Sequence, residues 1–136
     1  MRKEQDITAP KLPKPNLDQA RLNLARTAAI TAAVAIMAGA FGAHGVTGDP
    51  KRWLMTGGHY QLVHAVATLV ALKWSERLIS PALFLIGGWV FSGTLYAMAL
   101  GGPRVLGAVT PLGGLTLIVA WLALAFTLRL ESSEEG

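Results

Sequence analysis

The sequence predicts an all-α protein: a four-helix transmembrane bundle with both termini in the cytoplasm. Three observations carry this. Hydrophobic residues make up 52% of the 136-residue chain and charged residues only 15%, against roughly 25% charged in an ordinary soluble domain. The charges are segregated, so that Arg104 is the sole charged residue between Arg77 and Arg129. Four apolar segments, about 27–43, 58–74, 81–100 and 111–128, have lengths near the roughly 17–25 residues of a membrane-spanning helix. A water-soluble fold this small lacks the interior volume to hide so long an uncharged stretch. A lipid bilayer as solvent removes the difficulty.

Each helix has a start signal. Asn16 precedes Leu17-Asp18-Gln19, so Asn16 can cap and Gln19 can reach back. Asp49-Pro50, Ser80-Pro81 and Thr110-Pro111 repeat a second device. A side-chain oxygen faces the free N–H groups, and a proline follows that has no N–H to leave unsatisfied. The first helix is expected from Leu17 to His44, about 42 Å at 1.5 Å per residue, with Arg21 and Arg26 outside the hydrocarbon. The second is expected to lie along the interface from Pro50 through Trp53 and to bend at Gly57-Gly58.

The organisation is then an arm, a membrane domain and a tail. Residues 1–15, with Pro10, Pro13 and Pro15 among lysines, read as a flexible arm. Residues 16–130 form the membrane domain, and 131–136 an acidic tail. Placing the N-terminus inside puts nine Lys and Arg on cytoplasmic segments and three (Lys51, Arg52, Arg104) on outer loops. This bias sets both termini inside. Trp53 and Trp74 then fall at opposite interfaces, where amphipathic rings prefer to sit. Basic residues, an apolar run and Ala38-Gly39-Ala40 resemble a signal peptide in outline, but the long proline-rich start argues for a retained helix. Its acids and prolines are also unlike a mitochondrial transit peptide. The expected location is the bacterial cytoplasmic (inner) membrane, with the mitochondrial inner membrane as the alternative.

Lipid tails are as apolar as leucine, so helices associate through close packing and interhelical hydrogen bonds. Small residues should therefore form stripes at helical spacing. The first helix aligns Ala28, Ala32, Ala35, Gly39 and Gly42; the third Gly88, Ser92 and Ala99; the fourth Gly113, Thr116, Ala120, Ala123 and Thr127. Gly39, Gly42, Gly88 and Gly113 are expected packing positions.

A polar cluster stands out against this background. His44 ends the first helix in "GAFGAHG", and Tyr60, Gln61, His64 and Thr68 share an arc of the second. Ser92, Tyr96 and Thr110 are expected near the same outer half. Structurally, a neutral imidazole can donate one hydrogen bond, accept another, and so tie two helices. Functionally, an ionisable residue inside a membrane is a site candidate by default. His44 and His64 are expected at similar depth, either as a helix–helix contact or as a pocket. Paired histidines can also ligate haem iron, but short helices lined with small residues leave little room for a porphyrin. No cofactor is expected.

Other classes find little support. The chain has no cysteine, which removes thiolate chemistry and disulfides. The spans carry no carboxylate of the kind that marks proton and ion pathways. No HExxH run, nucleophile elbow or phosphate loop is present, so an enzyme is not expected. Six of the twelve Lys and Arg lie within the first 26 residues, a juxtamembrane pattern and not a nucleic-acid face.

Four motifs in order, "GAFGAHG", "WLMTGGHYQLVHA", "FSGTLYAMAL" and "VTPLGG" followed by "AW", resemble a small integral membrane family, the domain-of-unknown-function 423 family, which includes transmembrane protein 256-like proteins. The resemblance covers about residues 27–128 and implies a four-helix membrane protein with no established activity. The matching positions are His44, Gly57, Tyr60, Gln61, His64, Ser92, Tyr96, Thr110, Pro111 and Gly113. The first 25 or so residues look like an addition to the family pattern, and the segment between "AHG" and Trp53 looks shortened.

The sequence thus predicts a non-catalytic membrane protein, an accessory or assembly subunit that packs against a larger membrane complex or against itself. The alternative is a binding protein for a small lipophilic or quinone-like molecule at a His44/His64 pocket.

Overall fold

The computed structural model describes residues 16–134, with side chains through Leu128. Four α-helices follow one another: α1 (Leu17–His44), α2 (Gly48–Trp74), α3 (Ile79–Ala99) and α4 (Thr110–Glu134). A short 3-10 helix, Arg104–Ala108, lies between α3 and α4. No strand occurs among the described residues. The expected arm, residues 1–15, lies outside them. The expected acidic tail begins as a continuation of α4, which runs to Glu134.

Neighbouring helices are antiparallel. Gly42 meets Leu54 near one end of the α1/α2 pair, while Arg21 reaches Leu72 and Ser75 at the other. The α2/α3 pair is joined from Gly57–Ser92 to Thr68–Pro81. The α3/α4 pair is joined from Thr94–Thr110 to Gly87–Leu117. Among the described residues α1 and α4 do not meet. The bundle is therefore open: α2 and α3 form its middle, and α1 and α4 flank them.

Leu17–His44, Ile79–Ala99 and Arg104–Leu128 are long and apolar enough to cross a membrane by themselves. The second helix is long, at 27 residues, but less apolar. The reason is where its polar groups point. Gln61, His64 and Thr68 are all buried against neighbouring helices, while Val63, Val66, Leu69 and Val70 face outward. A polar side chain in a bilayer is tolerated when it faces the bundle interior and finds a partner.

Helix starts lie close to their signals, with two corrections. Asn16 Oδ1 accepts from Gln19 N at 3.3 Å, but the Gln19 side chain turns to Asn23 instead of closing a capping box. The helices of Pro50, Pro81 and Pro111 begin one or two residues before these prolines, at Gly48, Ile79 and Thr110. Proline is accepted in the first turn because no intrahelical acceptor awaits its nitrogen there. Asp49 consequently pairs with Arg52 at 3.0 Å and Arg104 at 3.6 Å, and no side-chain cap forms at the start of α2.

The larger correction concerns the middle of α2. No break separates an interfacial segment from the span: α2 continues as one α-helix through Gly57 and Gly58. They serve close approach. A Cβ on Gly58 would stand 2.8 Å from the Ala35 carbonyl oxygen of α1. At the other seam, a Cβ on Gly113 would stand 2.4 Å from Phe91 N of α3. The core itself is small and aromatic-centred: Ala67, Ala71, Phe84, Leu117, Ala120 and Leu124 meet where α2, α3 and α4 converge.

Candidate functional site

The candidate site is a groove along the seam between α2 and α4, floored by α3. Few residues of α2 and α4 touch directly, because Phe84 and Phe91 of α3 hold them apart. Tyr60, Val63 and His64 form one wall, Gly114, Ile118 and Trp121 the other, and Phe91 and Leu117 the floor. The hollow is about 450 Å³. A second hollow of about 270 Å³, lined by Val70, Trp74, Leu124 and Leu128, continues from the same Trp121.

His64 is the polar centre of this groove. Its Nδ1 lies 2.7 Å from the Tyr60 carbonyl oxygen, and its Nε2 lies 3.2 Å from Trp121 Nε1. A carbonyl only accepts and an indole N–H only donates. The two partners thus fix the tautomer: Nδ1 carries the proton and Nε2 accepts. Both nitrogens are committed to structure. Aromatic rings surround the imidazole, with Tyr60 stacked at 6.2 Å, Phe84 at 5.8 Å and Trp121 edge-on at 6.2 Å. Tyr60 leans on Phe91 at 4.6 Å.

His44 does not join this cluster. It is exposed in the last turn of α1. His64 lies sixteen positions into α2, which is about 24 Å along the helix from that end. The expected common depth assumed that the second helix, lying along the interface from Pro50, turns into the membrane only at Gly57-Gly58. With α2 continuous from Gly48 through both glycines, the two histidines separate.

The remaining expected residues divide into two contacts. Tyr96 donates to Gln61 Oε1 at 2.8 Å, and Ser92 donates to the Gly57 carbonyl at 2.7 Å, so both join α3 to α2. Gln61 is fully buried, and its Nε2 finds no acceptor. Thr110 is elsewhere, sharing a 2.8 Å bond with Thr94 at the start of α4. Of the expected packing glycines, Gly42 and Gly113 are tightly enclosed, whereas a Cβ on Gly39 meets nothing within 4 Å and one on Gly88 only His64 Cβ at 3.9 Å. At the second position, the neighbouring Gly87 is the crowded one.

Four contributors escaped the sequence reading. Trp121 is the partner of His64, and Trp89 donates to Thr31 at 3.0 Å, joining α3 to α1. A tryptophan in mid-span is a signal in itself, because its N–H needs an acceptor away from the interface. Arg21 is the fourth. Its guanidinium donates to the carbonyls of Ser75 (2.9 Å), Glu76 (3.4 Å) and Leu72, satisfying carbonyls at the end of α2. Among the described residues, no three His, Cys, Asp or Glu side chains gather as a metal site would need.

Four antiparallel helices joined by interhelical hydrogen bonds, with apolar faces turned outward, define a multi-pass membrane protein. The chain belongs to the family described as "Protein of unknown function (DUF423)", whose model matches residues 38–114. It is 36% identical over 105 residues to the UPF0382 membrane protein YwdK of Bacillus subtilis, covering 69% of this chain and 85% of that one. It is 36% identical over 115 residues to the UPF0382 inner membrane protein YgdD of Escherichia coli, covering 76% and 88%. A Haemophilus influenzae UPF0382 membrane protein is 35% identical over 97 residues, covering 65% and 78%. No solved structure matches. With these relatives, the chain is placed in the bacterial cytoplasmic (inner) membrane.

Proposed function

We propose that this protein is a non-catalytic component of the cytoplasmic membrane, with both termini in the cytoplasm, that holds a lipophilic guest in the α2/α4 groove. The groove carries the reading. Its main hollow, about 450 Å³, falls within the roughly 300–1,000 Å³ of small-ligand sites. It is aromatic-walled and opens sideways, toward where lipid lies. Neither nitrogen of His64 is left to take a substrate proton, which supports binding over catalysis. The guest site is that of His64 without His44.

Gly114 offers the test. A Cβ there meets only the Phe91 ring, at 3.8 Å, so Gly114→Leu fills the groove without disturbing a helix crossing. Purified wild-type protein in mild detergent should yield a lipophile on solvent extraction and mass spectrometry, and Gly114→Leu should lack it. Identical extracts from the two proteins contradict the reading.

One observation favours a second role, that of an accessory subunit. His59 is exposed on α2, seven positions below Arg52, or about 10 Å deeper. An imidazole facing acyl chains at that depth is costly unless a partner covers it. Co-purification of a defined heavier membrane protein with wild type, lost with His59→Leu while the groove guest is retained, supports this role. The same companions with both proteins count against it.

A further inference from the structure

We propose that the guest of the α2/α4 groove is one acyl chain of an anionic phospholipid, whose headgroup is held at Lys73 and Arg77. This rests on the groove reading above and names its ligand class.

The shape of the groove comes first. The two hollows follow one another along the seam, and Trp121 borders both. On α2 its lining runs from Tyr60 to Trp74, and on α4 from Gly114 to Leu128. These are fourteen positions on each of two helices that run the same way, or about 21 Å. Hollows of about 450 and 270 Å³ strung along that length make a long, apolar furrow. A flexible methylene chain fits such a furrow. Half of the hydrocarbon layer is about 15 Å, so a chain entering at Trp74 would reach past the midplane, to Tyr60 and Phe91.

The charge at the mouth selects the headgroup. Trp74 is 66% exposed and sits at the level where indoles meet headgroups. Lys73 precedes it and Arg77 follows it, both exposed. Glu76, exposed in the same loop, offsets one of these two charges, so Lys73, Glu76 and Arg77 together carry a net positive charge. The Arg77 N–H bonds Ser75 Oγ at 3.0 Å, which fixes the turn carrying the guanidinium. Two bases beside an interfacial indole, at the open end of an apolar channel, match a lipid phosphate above its own chain.

Trp121 reports occupancy because it borders both hollows. The full chain is reconstituted in vesicles of equal phosphatidylglycerol and phosphatidylcholine, with bromine placed on the acyl chains of one lipid at a time. The Trp121 signal is the difference between wild type and Trp121→Phe. Brominated phosphatidylglycerol should quench it about tenfold more effectively, the selectivity expected of one or two bases near the surface. In Lys73→Gln/Arg77→Gln, whose altered side chains are exposed, the two lipids should quench equally. Native mass spectrometry of the unlabelled protein provides a readout independent of Trp121→Phe folding: one anionic phospholipid retained per wild-type chain, and none on the double variant. Equal quenching by both lipids in the wild type, or a preference that survives the double variant, overturns the headgroup assignment and leaves the groove reading standing. Absence of quenching by either lipid overturns both.

Discussion

Trp121 of α4 donates its indole N–H to Nε2 of His64 on α2, at 3.2 Å, across the seam where those two helices otherwise diverge. The same imidazole is anchored one turn back on its own helix, through Nδ1 and the Tyr60 carbonyl. Trp89 does the equivalent on the other side, bridging α3 to Thr31 of α1. Two mid-span indoles thus bind the outer helices to the central pair. In a bilayer, where burial alone drives no association, such contacts and close packing hold helices together.

Glycine substitutions should separate by position. Gly58→Ala and Gly113→Ala push a methyl into the backbones of α1 and α3, and each should cost about 1–3 kcal/mol. Gly39→Ala and Gly88→Ala meet open space or ordinary contact, and should be neutral or slightly stabilising. Denaturation midpoints in a single detergent check the order.

Removing the Arg21 guanidinium should loosen the end of α2. Arg21→Ala frees the carbonyls of Leu72, Ser75 and Glu76, a loss of about 1.5–3 kcal/mol if one charged hydrogen bond dominates. Hydrogen exchange at residues 72–76 should quicken, while exchange near Gly58 stays unchanged. Arg21→Lys should recover part of the protection, since a lysine has donors but no fork.

The orientation can be tested directly because the native chain has no cysteine. Single cysteines at Thr47 and Gly102 should react with an impermeant maleimide added to intact spheroplasts. A cysteine at Glu76 should react only after the membrane is opened. The reverse pattern inverts the protein in the bilayer and contradicts the charge-based assignment.

Much of the architecture was legible because it is written locally. Asn16, the three proline-bearing starts and the spacing of apolar segments located all four helices, with α1 placed at Leu17–His44. The Gly57-Gly58 pair misled because it was treated as a weakness in a helix. In this bundle the missing side chains admit Ala35 on one side and Tyr96 on the other. A bend there would start the span at Gly58 and bring His44 to the depth of His64. The site was half legible: Tyr60 and His64 line the groove, and Gln61, Ser92 and Tyr96 form the adjacent α2/α3 contact. Trp121 and Thr31 were missed because their partners lie 57 and 58 positions away. No periodicity within one helix reveals such pairs.

The central claim is that His64 acts by accepting from Trp121, and a double-mutant cycle tests it most directly. His64→Leu, Trp121→Phe and the double variant are unfolded in one detergent, with His44→Ala as an exposed control. The predicted result is a coupling of about 0.6–2 kcal/mol between His64 and Trp121, with no change for His44→Ala. Strictly additive losses for His64 and Trp121 would contradict the account.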